Sequence, residues 1–145
     1  MLFLQAASRP DRVHASFQAI RDNRVKLCLS PELLEEVRDV LARPEQQARF
    51  PALTTEAVDA FLTEALSAAE MFDEIPSAFN WPEHPDDDHI FNLAIRANAK
   101  YLVTWETRIL KLATAATPAA EMLRRLAPQL EIVSPKTLAD TLTPT

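Results

Sequence analysis

The chain contains no glycine, although average usage would place about ten glycines in a protein of this length. Phosphate-binding loops, the glycine-rich fingerprint of dinucleotide-binding folds and the nucleophile elbow of α/β hydrolases all need glycine, for tight turns or for close approach of the backbone. This sequence therefore contains none of these motifs. The absence of glycine therefore argues against the common nucleotide-cofactor sites and against an elbow serine.

Length and composition favour one soluble domain over residues 1–145. Of the 145 residues, 48% are hydrophobic, which is enough for a single core. The first residues lack a basic leader, and no stretch approaches the roughly 18 apolar residues of a membrane span. The single cysteine, Cys28, lies in a short apolar run and is expected to be a small buried hydrophobe. We expect a cytoplasmic protein without a membrane partner.

Helical periodicity alternates with short apolar runs along the chain, a pattern that predicts a parallel sheet covered by helices on both faces. Asn23 and Asn98 are expected to take the left-handed caps that glycine usually fills. Residues 73–85 carry three prolines and are expected to form a loop. The predicted helices cover residues 11–22, 30–42, 54–70, 88–98 and 119–126 and one helix that begins at Ser134, and the predicted strands cover residues 25–29, 101–104 and 130–133.

Three carboxylic acids are expected at the carboxyl edge of the strands, where parallel sheets bind ligands. Glu36 lies at the margin of the apolar face of the second helix, Asp88 begins the fourth helix, and Glu106 follows strand 101–104. Together they form an oxygen-only cluster, the ligand chemistry that Mg²⁺ or Mn²⁺ prefers. Each acid also has an ordinary explanation, since marginal carboxylates are often solvated and acids before a helix cap its amides.

Other polar residues give weaker signals. His84 and His89 flank the aspartates without a nearby cysteine, so we expect them, like His14, to face solvent and not to bind zinc. The net charge of −6 means that any contact with RNA must be local. Trp105 is a candidate for stacking on a base, although packing under its loop is an equal alternative. The candidate phosphate contacts, for which simple solvation is the alternative, are Arg9, Arg12, Arg108 and Lys111.

Three segments carry a resemblance to a known family: LCLSPELLEEVRDVLARP at 27–44, HPDDDHIFNLA at 84–94 and YLVT at 101–104. In their order and spacing they resemble PIN-domain proteins, in the branch of toxin components of toxin–antitoxin systems. The resemblance implies an α/β, Rossmann-like three-layer domain with a parallel sheet covered by helices. It also implies a metal-dependent endoribonuclease of VapC type, acting on single-stranded RNA with Mg²⁺ or Mn²⁺ and forming a homodimer that an antitoxin protein binds.

The resemblance assigns the catalytic and metal-binding roles to Glu36, Asp88 and Glu106. Asp88 lies sixteen positions before Thr104, as the family pattern requires. Glu106 stands where the family usually has an aspartate, and Arg108 stands where a further acid is frequent.

The family pattern begins with a central strand that ends in an aspartate, and this sequence begins inside that motif. The expected fold therefore lacks its first central strand. A start codon assigned too late is the preferred explanation, and a degenerate domain or a strand supplied by another chain are the alternatives. The alternative function is a catalytically inactive, N-terminally truncated domain that acts as a protein-binding module.

Overall fold

Helices alternate with short strands in the computed structural model, which describes residues 15–142. Two 3₁₀ turns, at Pro85–Asp87 and Lys111–Ala113, accompany the regular elements. In chain order these are α1 (Ala15–Arg21), β1 (Leu27–Leu29), α2 (Pro31–Leu41), α3 (Pro44–Arg49), α4 (Thr55–Ala68), β2 (Ala69–Met71), α5 (Asp88–Arg96), β3 (Tyr101–Val103), α6 (Thr107–Leu110), α7 (Pro118–Leu126), β4 (Glu131–Val133) and α8 (Pro135–Leu142).

In the part of the chain that the structure describes, the strands form two parallel pairs. β1 pairs with β2, with Cys28 opposite Glu70, and β3 pairs with β4, with Leu102 opposite Ile132. The predicted parallel strands and helical cover are confirmed. Within residues 15–142 no strand joins β1 to β3, an arrangement compatible with the missing central strand that the resemblance implies.

Each strand pair packs against its own hydrophobic cluster. The first cluster lies between α1, α2, α4 and β1, and its largest side chain is Phe61. The second lies between α5, β3 and α7 and includes Phe79, Trp81 and Phe91. The rings of this second cluster belong to α5 and to the segment 73–84 that precedes it, so they attach an otherwise irregular segment to the fold.

The predicted helix caps are confirmed. Ser30 begins α2 with an extended backbone, its Oγ accepts the Leu33 N–H at 3.0 Å, and Pro31 follows in the first turn. Asn23 and Asn98 have φ of 59° and 51°, the left-handed conformation that Asn tolerates better than most residues. These asparagines end α1 and α5 in a chain that has no glycine for the purpose.

Three short elements differ from the sequence-based expectation. The third predicted helix ends at Ala68 instead of residue 70, because Ala69–Met71 pairs with β1 as a strand. A three-residue strand is too short to show the alternation by which strands are recognised. α3 lies in a region expected to be a polar connection, and α6 follows Glu106 where no helix was expected.

Cys28 is half-buried in β1 and is not the fully buried hydrophobe that the sequence suggests. Burial raises the pKa of the Cys28 thiol above its ordinary value, and the charge of Glu70 raises it further, against a smaller opposing effect of Lys26. The thiolate is the form that reacts with alkylating agents. We therefore expect iodoacetamide at pH 8 to modify the native chain several-fold more slowly than the same chain in urea. Equal rates, measured by mass spectrometry, would contradict the raised pKa.

Candidate functional site

A cavity of about 370 Å³ opens at the carboxyl end of β1, beside the amino end of α5. α2 provides one wall and the segment 73–84 provides the opposite wall. Three of the lining residues are carboxylic acids, and carboxylate oxygens are the donors that a hard divalent cation prefers. The lining residues are Ser30, Glu32, Ile75, Ser77, Pro85, Asp86, Asp88, His89 and Asn92.

Asn92 holds the wall formed by segment 73–84. Its Oδ1 accepts the backbone N–H groups of Ala78 and Phe79 at 3.0 and 2.7 Å, and its Nδ2 donates to the Phe79 carbonyl at 3.2 Å. The Asn92 side chain is buried. One amide side chain therefore satisfies three backbone groups of a segment that has no ladder of its own.

Asp88 anchors the same segment one helical turn earlier. Its Oδ1 accepts the Trp81 N–H at 2.8 Å. The Trp81 ring is buried, with its centroid 5.8 Å from that of Phe91 and 4.6 Å from that of His84. One oxygen of the predicted metal ligand Asp88 thus has a structural partner.

Glu36 and His89 connect α2 to α5. His89 Nε2 lies 2.6 Å from Glu36 Oε2, and the two side chains are 12% and 48% exposed. The expectation that His89 faces solvent is therefore wrong, because the facing helix offers its ring a carboxylate partner. His84 is half-buried against Trp81 and is likewise not a solvated side chain. His14 lies outside the described residues.

A second group of charges lies beyond β3. Arg108 Nη2 and Nε both donate to Oδ2 of Asp87, at 2.9 and 3.2 Å, and Asp87 is only 8% exposed. Arg108 Nη1 also lies 3.5 Å from Glu106 Oε2. The hydrogen bond to Asp87 and the charge of that carboxylate raise the pKa of Arg108 above its already high usual value. Arg108 is therefore a permanent cation at this place.

The three predicted acids have different partners. Glu36 contacts His89, Asp88 accepts from the backbone of Trp81, and Glu106 lies near Arg108. In the part of the chain that the structure describes, no three His, Cys, Asp or Glu side chains are grouped so that they could hold a metal ion. The assignment of Glu36, Asp88 and Glu106 as one metal site stays a prediction.

Asp87 is a buried acid that was not among the predicted site residues. It precedes Phe91 by four residues and Ala94 by seven, both of which are buried. Because positions separated by four and seven lie on one helix face, Asp87 continues the apolar face of α5 toward its amino end. An acid at such a position is a signal of a buried carboxylate that needs a partner, and the spacing alone could have revealed it.

The predicted RNA contacts divide into three groups. Arg9 and Arg12 lie outside the described residues. Trp105 and Lys111 are exposed, so their proposed contacts with a base and a phosphate remain predictions. Arg108 is bound to Asp87, which limits its freedom to reach a phosphate.

Comparison with known proteins gives one result on family membership. Residues 2–108 match the family model described as PIN domain, which covers more than half of the chain. A search of curated proteins and a search of solved structures each found no match. None of the helices in residues 15–142 is long and apolar enough to cross a membrane.

Proposed function

Because this chain belongs to the PIN-domain family, we propose that it is a metal-dependent endoribonuclease that hydrolyses phosphodiester bonds of single-stranded RNA. PIN domains are in general nucleases that bind nucleic acid and use divalent metal ions. The observation that carries the proposal for this chain is the cavity between β1 and α5, which Asp88 lines together with Glu32 and Asp86, whereas Glu36 and Glu106 are not among its lining residues. The cavity lies at the carboxyl edge of the strands, where parallel sheets bind ligands. Its carboxylates provide the oxygen atoms that a hard cation prefers.

In this proposal Glu36 and Asp88 hold Mg²⁺ or Mn²⁺. The hydrogen bond between His89 and Glu36 supports it, because His89 follows Asp88 directly and brings the Glu36 carboxylate to the amino end of α5. The backbone N–H of Trp81 fixes the orientation of the Asp88 carboxylate. A bound divalent ion would lower the pKa of a water molecule and stabilise charge on the phosphate.

Glu106 is the third acid of the proposed site and orients the attacking water. Its backbone N–H donates to Thr104 Oγ1 at 3.0 Å, which fixes the turn after β3, and Arg108 lies near its carboxylate. Exposed Trp105 and Lys111, beside and beyond Glu106, are the proposed contacts with a base and a phosphate of the RNA. Arg9, Arg12 and Arg108 complete the proposed set of cations, and Arg108 is the one of them that is also paired with a carboxylate, that of Asp87.

The biological setting that we propose follows the resemblance to the toxin branch. In it, residues 1–145 form one domain, the chain is a cytoplasmic homodimer, and an antitoxin protein binds it and controls its activity. Pull-down of a partner from the source cells, followed by inhibition of RNA cleavage by that partner, would test this setting.

RNA cleavage by the full chain tests the enzyme. We expect Mn²⁺-dependent cleavage of a single-stranded RNA, and we expect the Glu36→Gln/Asp88→Asn double variant to lose on the order of 10²-fold or more in rate. The matched control is Glu35→Gln/Asp39→Asn, which removes the same two charges from exposed positions of α2. The control is expected to keep its activity.

Two results would overturn parts of the proposal. Cleavage that persists in the Glu36→Gln/Asp88→Asn variant would overturn the assignment of these residues. An absence of cleavage by the unaltered chain and by every variant, with Mg²⁺ and with Mn²⁺, would overturn the enzyme and favour the alternative of an inactive protein-binding module.

A further inference from the structure

The buried carboxylate of Asp87 has no part in the function proposed above. It lies where a 3₁₀ turn passes into α5, and its Oδ2 receives two N–H groups of one guanidinium. A carboxylate that is 8% exposed is costly unless it is paired and hydrogen-bonded. Arg108 provides both the opposite charge and the hydrogen bonds.

The same guanidinium reaches toward a second carboxylate. Arg108 Nη1 lies 3.5 Å from Glu106 Oε2, while its Nη2 and Nε face Asp87. Two carboxylates that come from different elements are thus held by one cation. A divalent ion between two carboxylates would also offset their negative charge, and Arg108 already fills that place with a single positive charge.

We propose that Arg108 is the resident cation of the Asp87–Glu106 carboxylate pair, which positions Glu106 and excludes a divalent ion from the space between the two acids. The inference rests on the proposed function only where it uses Glu106 as the third acid of the proposed site. The exclusion of the ion is a property of the folded chain that can be measured without RNA.

The geometry explains why Glu106 needs such a partner. The hydrogen bond to Thr104 fixes the backbone of Glu106, but the Glu106 side chain is half exposed and has several rotatable bonds. Arg108 is anchored at the Asp87 end by two hydrogen bonds, so its third nitrogen lies in a defined place. Arg108 is therefore a positioning residue for Glu106.

Isothermal titration calorimetry of the full chain with MnCl₂, at constant ionic strength, tests the inference. We expect Arg108→Gln, which removes the charge and keeps hydrogen-bonding capacity, to gain a Mn²⁺ site or at least about 10-fold in Mn²⁺ affinity. Adding Asp87→Asn or Glu106→Gln to that variant is expected to remove the gain. Lys111→Ala, which loses the same charge from an exposed position three residues away, controls for net charge and is expected to gain nothing.

The test separates this inference from the proposed enzyme. The gain is expected to persist when Arg108→Gln is combined with Glu36→Gln/Asp88→Asn, whether or not any variant cleaves RNA. A gain no larger than that of Lys111→Ala would overturn the inference. Arg108→Met, which keeps the aliphatic stem, is the second variant if Arg108→Gln does not fold, and failure of both to fold would make Arg108 a purely structural residue and also overturn it.

Discussion

Replacing Phe91 with alanine is expected to lower the free energy of unfolding by about 3–5 kcal/mol. Phe91 is 0% exposed, and its ring lies between those of Phe79, at 4.9 Å between centroids, and Trp81, at 5.8 Å. Truncation would leave a cavity that neither partner can fill, because the backbones of both are fixed by hydrogen bonds to α5. The cost therefore includes lost contacts as well as lost burial.

Urea unfolding followed by circular dichroism measures this change. Phe91→Leu nearly conserves the apolar volume and is expected to cost less than about 1.5 kcal/mol. Leu126→Ala, which truncates an exposed apolar side chain on α7, is the control for loss of a hydrophobic residue outside the core. A cost for Phe91→Ala that is no greater than that of Leu126→Ala would show that the aromatic cluster does not stabilise the fold.

Replacing Asn92 with alanine is expected to lower the free energy of unfolding by about 3 kcal/mol. The substitution leaves the Phe79 N–H and the Phe79 carbonyl without their side-chain partner, and it leaves the Ala78 N–H with the Pro76 carbonyl alone. Buried groups that lose their partner cost more than a hydrogen bond gains, because water does not replace the bond. The effect should be concentrated in segment 73–84.

Urea unfolding gives the total effect of Asn92→Ala, and hydrogen exchange of the Phe79 amide gives its location. Asn80→Ala removes an exposed amide from the same segment and is expected to change the free energy of unfolding by less than about 0.5 kcal/mol. Unchanged protection of the Phe79 amide in Asn92→Ala would contradict the role given to Asn92.

Much of the fold could be predicted because its signals are local. The cap at Ser30 and the left-handed positions of Asn23 and Asn98 depend on a few neighbouring residues. The longer helices show the 3.6-residue periodicity of a buried face, and strand Tyr101–Val103 is apolar throughout. Features of this kind are set within one or two helical turns, so one sequence contains them.

The remaining elements depend on distant partners. Ala69–Met71 becomes a strand because β1 lies beside it, and the preceding helix has no local reason to end at Ala68. Segment 73–84 takes its course from Asn92 and Asp88, which follow it in the chain. Sequence periodicity does not record such pairings.

The candidate site shows the same division. Acids could be located on the expected elements, but the contact between His89 and Glu36 could not be foreseen, since it depends on how α2 and α5 pack. Within the aspartate run the family pattern favours Asp88, whereas the structure brings Asp87 toward Glu106 through Arg108. Adjacent residues on a helix point about 100° apart, so one position separates the two environments.

Asn92 and Asp88 hold segment 73–84 through main-chain groups, which nearly every amino acid carries. The side chains of Ile75 and Ser77, which line the cavity, take no part in these anchoring bonds. Related chains could therefore diverge at these two positions, and with them in the molecules that they accept, while the wall keeps its course. The backbone course of segment 73–84 can therefore be retained while the side chains that it presents to the cavity change.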